Sequence, residues 1–238
     1  MFLIRTLHKW FGLILGLLFL LWSVSGAMMA LLDHHKVSGE TSVRERAPVI
    51  LPVEAASLSQ VAGAVGQPIL KLRIKGLGAA PVYEATTAEG VTLLDAATAA
   101  PVTIDADKAG RLAAAVFKGP EGVASIRKIE TPDLETRKLA LPAWRVEFTD
   151  DQHTTLFVSA RTGEVLGLRN DTWRLWDVFW MIHIMDYTER ESFNHPLIVT
   201  VATGVAWLAL SGLILLFRAF RRSDFAWIVD PWERMRGR

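Results

Sequence analysis

Cysteine is absent from the 238-residue sequence, which excludes a disulfide framework, an iron–sulfur cluster, a thiolate metal site and covalently attached haem. Any redox centre must be held by other ligands. An excess of charge of either sign is also missing, with 26 Lys and Arg against 25 Asp and Glu for a net charge of +1. Nothing electrostatic therefore recommends nucleic acid as a partner. The sequence has no Gly-rich phosphate loop, GxGxxG, HExxH or Gly-x-Ser-x-Gly, so nucleotide-dependent or hydrolytic chemistry has no motif behind it. NADPH or flavin would have to be bound by a partner.

Charge is missing altogether from two stretches. Trp10 to Leu32 and Ser192 to Phe217 contain no Asp, Glu, Lys or Arg. The first, about 23 residues at ~1.5 Å rise, reaches about 35 Å and crosses a bilayer core. With 51% hydrophobic and 21% charged residues overall, apolar content is concentrated at the two ends. Arg5 and Lys9 ahead of an apolar run, with Ser25, Gly26 and Ala27 after it, also suit a cleaved secretory signal. The run continues through Met28 to Leu32, past any plausible cleavage point, so an uncleaved anchor is expected. Arg5 and Lys9 before the first span, and Arg218, Arg221, Arg222, Arg234, Arg236 and Arg238 after the second, predict that both termini are cytoplasmic. The outer flanks are mixed, with Asp33 and Lys36 on one side and Glu189, Arg190 and Glu191 on the other. Trp227 and Trp232 are expected at the cytoplasmic interface.

Between the spans, one pattern is written twice. Pro52 opens a helix-compatible stretch, Val53 to Val65, followed by strand-like runs at Ile69 to Ile74, Val82 to Thr87 and Val91 to Leu94, and a turn at Asp95 to Thr98. The second copy has a helix over Asp107 to Phe117, strands at Ala124 to Ile129, Trp144 to Thr149 and Thr154 to Val158, and a turn at Ser159 to Gly163. Each copy reads as a helix and three strands.

The opening Leu7-His8-Lys9-Trp10-Phe11-Gly12-Leu13-Ile14-Leu15-Gly16, the Ser25-Gly26 that ends the first span, Trp180-Met181-Ile182-His183-Ile184-Met185-Asp186-Tyr187, and Ser211-Gly212-Leu213 near the end of the second span resemble the PepSY-associated transmembrane proteins of bacterial inner membranes. The resemblance covers nearly the whole chain. It implies an α+β membrane protein in which two transmembrane helices flank a periplasmic domain of two PepSY-like αβββ units, at 36–104 and 105–170. The first helix then occupies 1–35, an interfacial helix 171–191, the second span 192–218 and a cytoplasmic tail 219–238. Members of the family include haem-containing reductases that deliver electrons to ferric iron or ferric siderophores in the periplasm. Better-known members have four spans in one chain; this one has two, and a homodimer would restore four.

Five of the six histidines, His8, His34, His35, His183 and His195, lie at the membrane edges. Interfacial snorkelling or capping explains one or two of them, and His153 alone sits within the outer domain, where a solvated or turn role is expected. At ~100° per residue, His8, Gly12, Gly16, Phe19, Ser23, Gly26, Ala30 and His34 share one helical face. That face suits a Gly-xxx-Gly helix contact, and equally leaves room for a flat macrocycle ligated at its ends. His34 is preferred over His35, provided the helix continues past Asp33. Trp173, Trp176, Trp180, His183 and Tyr187 form a second stripe, which an interfacial helix explains for the aromatics, while His183 matches a family histidine. Asn194 is read as N-cap of the second span, with His195 and Pro196 in its first turn.

One or two haem b groups per dimer follow from the resemblance. The outer one would draw on His34 or His35 with His183 or His195, the inner on His8 from both subunits, since His8 and His34 lie about 39 Å apart along a helix. Two imidazoles give a low-spin centre suited to electron transfer. The leading expectation is a haem b conduit reducing ferric iron or a ferric siderophore, with membrane quinol or another redox protein as donor. The alternatives are a haem-free, membrane-anchored PepSY binding or regulatory module and an assembly subunit of a larger respiratory complex. Because the chain has no native cysteine, topology is directly testable. A cysteine at Asp151 in intact cells should react with a membrane-impermeant maleimide, and one at Arg236 should react only after lysis. The reverse labelling would invert the orientation.

Overall fold

The computed structural model describes residues 2–44, 54–119 and 122–220. Pro52, Val53, Arg221, Arg222, Trp227, Trp232, Arg234, Arg236 and Arg238, used in the sequence reading, lie outside them. In chain order the elements are α1 (Phe2–Leu31), α2 (His34–Ser38), a 3-10 turn (Glu40–Ser42), α3 (Leu58–Val65), β1 (Lys71–Leu77), β2 (Ala80–Thr86), β3 (Val91–Asp95), β4 (Pro101–Val102), α4 (Ala106–Val116), β5 (Val123–Ile129), β6 (Ala143–Phe148), β7 (Thr155–Ser159), β8 (Val165–Arg169), α5 (Asp171–Ile184) and α6 (Pro196–Ala219). The chain divides into two units, Met1–Met29 with Phe179–Arg238, and Ala30–Val178.

In the first unit, Leu3–Leu31 and Pro196–Ala219 each reach a mean hydropathy of 2.1, yet only 6% and 11% of their most apolar windows are buried. A core helix of a water-soluble domain would hide that surface, because leaving it in water forfeits the stabilisation of apolar burial. Length, composition and outward-facing apolar side chains together make these membrane spans.

Two antiparallel four-stranded sheets, β1-β2-β3-β4 and β5-β6-β7-β8, build the second unit. Each repeat therefore carries the expected helix and three strands, plus a fourth strand. The first helix starts later than predicted, at Leu58, because Ser57 and Gln60 form a reciprocal capping box. Gly66, at φ +67°, ends it. Asp105 caps α4 by accepting from Lys108 N. The expected turns are present: Asp95 Oδ1 accepts from Ala97 N and Thr98 N, and Ser159 Oγ from Arg161 N and Thr162 N. Both turns return the chain into the extra strand instead of ending the repeat.

Alternation sets the packing. Tyr83 and Leu94 pack with Val61 of α3 on one face of the first sheet. Val82 and Leu93 face the main core, shared with Leu112 of α4 and Val146, Leu156 and Leu168 of the second sheet. Polar pairing joins the repeats: Lys75 Nζ lies 2.5 Å from Glu84 and 3.1 Å from Glu164, and Arg73 bonds the same two carboxylates. Burial pushes the Glu84 carboxyl up, but hydrogen bonds from Arg73 and Lys75 outweigh it, and the group sits below its ordinary range. Gly163 is required at φ +67°, where an added Cβ would also run into Leu77.

One expectation about the spans is corrected. α1 stops at Leu31, and Asp33 caps a separate five-residue helix by accepting from His35 N and Lys36 N. His34 does not continue the face that carries His8, so the geometric preference for it over His35 loses its basis. Since Leu156 is fully buried between sheets and α4, Leu156→Ala should destabilise the outer unit by about 2–5 kcal/mol. Denaturant unfolding followed by near-UV circular dichroism would measure this.

Candidate functional site

The membrane unit pairs α1 with α6 through small residues facing large ones. Gly12 faces Leu208, and Gly204 sits so close to Leu15 that an added Cβ would approach its Cδ1 to 2.8 Å. Phe11 meets Trp207 edge to face at 5.4 Å. Without a hydrophobic driving force in lipid, such packing of small residues against large ones is what holds spans together. Of the predicted Gly12-xxx-Gly16 seam, Gly12 is in the contact, while the space around Gly16 is open.

At one end of this pair stands His8. Its Nδ1 lies 2.8 Å from Ser211 Oγ, and Ser211 is buried. The imidazole rests on Gly212, where a Cβ would meet Cε1 at 3.2 Å. Near the other end of α1, the same arrangement recurs with different residues. His183, in the last turn of α5, places Nδ1 3.3 Å from Ser25 Oγ and 3.1 Å from the Trp22 carbonyl. Its ring stacks on Trp22 at 5.1 Å and 15°. It also lies on Gly26, where a Cβ would meet Cε1 at 2.9 Å. In both places a Ser-Gly pair on one helix seats a histidine from another: serine meets Nδ1, and glycine leaves the ring its room. Among the described residues, Nε2 of neither histidine has a hydrogen-bond partner. Beside Trp22 an apolar pocket of about 280 Å³ is lined by Phe19, Met185, Val201 and Ala202.

The other histidines are differently employed. His195, not Asn194, is the N-cap of α6, accepting from Leu197 N at 3.4 Å through Nδ1. His35 pairs with Glu40 at 2.8 Å in solvent. That hydrogen bond and charge hold the imidazole above its usual range. His34 is exposed. His153 has the expected exposed turn role at φ 45°, with Nδ1 2.7 Å from Asp171. α5 ends at Ile184, so Tyr187 does not share its stripe. Trp180 donates to the Arg190 carbonyl and packs edge to face on Phe193. Trp173 takes the guanidinium of Arg169 over its ring at 4.2 Å.

Sequence reasoning missed the role of Asp186, noted only as lying off the aromatic stripe. Its buried carboxylate accepts from the backbone N–H groups of Thr188, Glu189, Glu191 and Ser192 and from the Thr188 hydroxyl. It thereby organises the turn between α5 and α6. Burial alone would raise this carboxyl, but the donated hydrogen bonds from Glu191, Ser192, Glu189 and Thr188 outweigh it, and the group sits far below its ordinary range. A depressed folded pKa stabilises fully above the unfolded value near ~3.9 and is lost as pH falls below it. Asp186→Asn should cost about 1–3 kcal/mol at neutral pH, because one oxygen acceptor is replaced by a donor facing donors. It should also flatten the acid limb of a thermal-stability profile recorded against pH.

A search of curated proteins returned no match, and neither did a search of solved structures. The family described as the PepSY-associated TM region matches residues 5–238. With that match spanning both membrane helices and the two-sheet unit, the chain belongs to the PepSY-associated transmembrane family.

Proposed function

We propose that this membrane-anchored PepSY protein is a haem b electron-transfer protein of the bacterial inner membrane, with both termini cytoplasmic, that reduces ferric iron or a ferric siderophore in the periplasm. The observation that carries the reading is the pair of half-buried imidazoles, His8 and His183, each seated by a Ser-Gly pair and each with Nε2 unpartnered among the described residues. Neutral imidazole is a standard axial ligand for haem iron, so the donor chemistry fits. His8 and His183 would be the ligands. His195 caps α6 through Nδ1, and His35 is paired with Glu40; both are employed elsewhere.

His8 and Gly26, against which His183 rests, are separated by about 27 Å along α1. The two imidazoles would therefore serve separate centres, and a second copy of the chain would supply a second imidazole for each. Bound there, haem b supplies a reversible one-electron couple. The protein's own contribution is to orient the rings, His8 against Ser211 and Gly212 and His183 against Trp22, Ser25 and Gly26. Quinol or another redox protein is the proposed electron donor.

Purified full-length protein should show a Soret band that shifts on dithionite reduction, and His8→Ala and His183→Ala should each lower haem content. A wild-type protein lacking the band would overturn the proposal in favour of a haem-free PepSY binding module. Unchanged haem content in both variants would overturn the ligand assignment.

A further inference from the structure

We infer that Ser211 sets the tautomer of His8, whereas the Trp22 carbonyl, with Ser25 beside it, sets that of His183. The inference deepens the proposed function, since the tautomer decides which ring nitrogen is free to ligate, but it rests on hydrogen-bond chemistry alone.

A hydroxyl has one proton. Ser211 Oγ lies 3.0 Å from the Leu208 carbonyl, which can only accept; with the hydroxyl proton directed there, what the serine offers His8 is a lone pair. Nδ1, at 2.8 Å, must therefore bring the hydrogen. Neutral imidazole carries a single N–H, which leaves Nε2 with its lone pair exposed to a ligand. Ser25 is spent in the same way, donating to the Trp22 carbonyl at 2.8 Å. His183 Nδ1 faces both Ser25 Oγ and the Trp22 carbonyl, at 3.3 and 3.1 Å. A carbonyl can only accept, so Nδ1–H is fixed here even without the serine.

His195 provides the contrast within the same unit. Its Nδ1 accepts from Leu197 N, which puts the hydrogen on Nε2. The chain thus holds both tautomers, and the rings seated on Ser-Gly pairs are the ones that present Nε2. Backbone room is part of the device, because a side chain at Gly26 or Gly212 would displace the imidazole from its acceptor.

The test reads the tautomer itself. Full-length haem-free protein carrying ¹⁵N-histidine, in lipid nanodiscs at about pH 8, where unperturbed imidazole is neutral, would be examined by ¹⁵N NMR. Signals are assigned by their loss in His8→Gln and His183→Gln. In the wild type, both rings should carry hydrogen on Nδ1. Ser211→Ala should move a substantial fraction of the His8 hydrogen to Nε2 while the His183 signal stays in place, which also shows that the fold is intact. Ser25→Ala should leave His183 as Nδ1–H, and Ser211→Thr should restore His8. A wild-type His8 protonated on Nε2, or a His8 tautomer indifferent to Ser211→Ala, overturns the inference. Absence of a Soret band would sink the haem proposal without touching this result, because the NMR sample contains no haem.

Discussion

A hydrogen bond left unmade inside a bilayer has no water to fall back on, and the membrane unit is organised around that constraint. α1 and α6 satisfy their own backbones, which leaves side-chain polar groups as the open problem. Ser25 and Ser211 are almost fully buried, and each returns its hydroxyl proton to a carbonyl one turn back. Once the serines are satisfied in that way, they can only accept, and the imidazoles beside them can only donate through Nδ1. The poise of both histidines follows from a local rule of helix backbones, applied twice.

Close packing makes the arrangement geometrically possible. Glycine at 26 and 212 lets an imidazole lie against a neighbouring helix, and the same preference for small residues against large ones pairs Gly12 with Leu208 and Gly204 with Leu15. Where α5 turns back toward α6, the chain needs an irregular connection whose N–H groups must be met. Asp186 meets them with one carboxylate. A charge is well suited to the task, because charge-assisted bonds from several converging donors offset the cost of its burial.

The second unit follows the rules of a water-soluble fold. Alternation along β2 sends Tyr83 to α3 and Val82 to the core shared by both repeats, so the duplicated sequence pattern becomes a joint interior. Glu84, Lys75, Arg73 and Glu164 fix one repeat to the other with paired charges. Of these, the Lys75–Glu84 pair is largely buried, and a buried ion pair gives back in desolvation much of what it gains.

Much of this was legible beforehand, for identifiable reasons. Spans and repeats are written in one-dimensional periodicity: uncharged runs of bilayer length, alternating strands and turn residues such as Asp95 and Gly163. The fourth strands were hidden because β4 has only two residues and β8 directly follows a turn that reads as a terminus. His8 and His183 were nominated by position, but the same reasoning placed His34 on the face of the first span that carries His8, and Asp33 broke that face by capping a new helix. Sequence by itself determined that this is a two-span membrane protein with a duplicated α+β unit, because hydrophobic pattern and helix length are local properties. Only the tertiary structure decided which histidines meet Ser-Gly pairs, since His8 and Ser211 are separated by 203 positions in the chain. Which nitrogen carries a proton depends on the partner found across that distance.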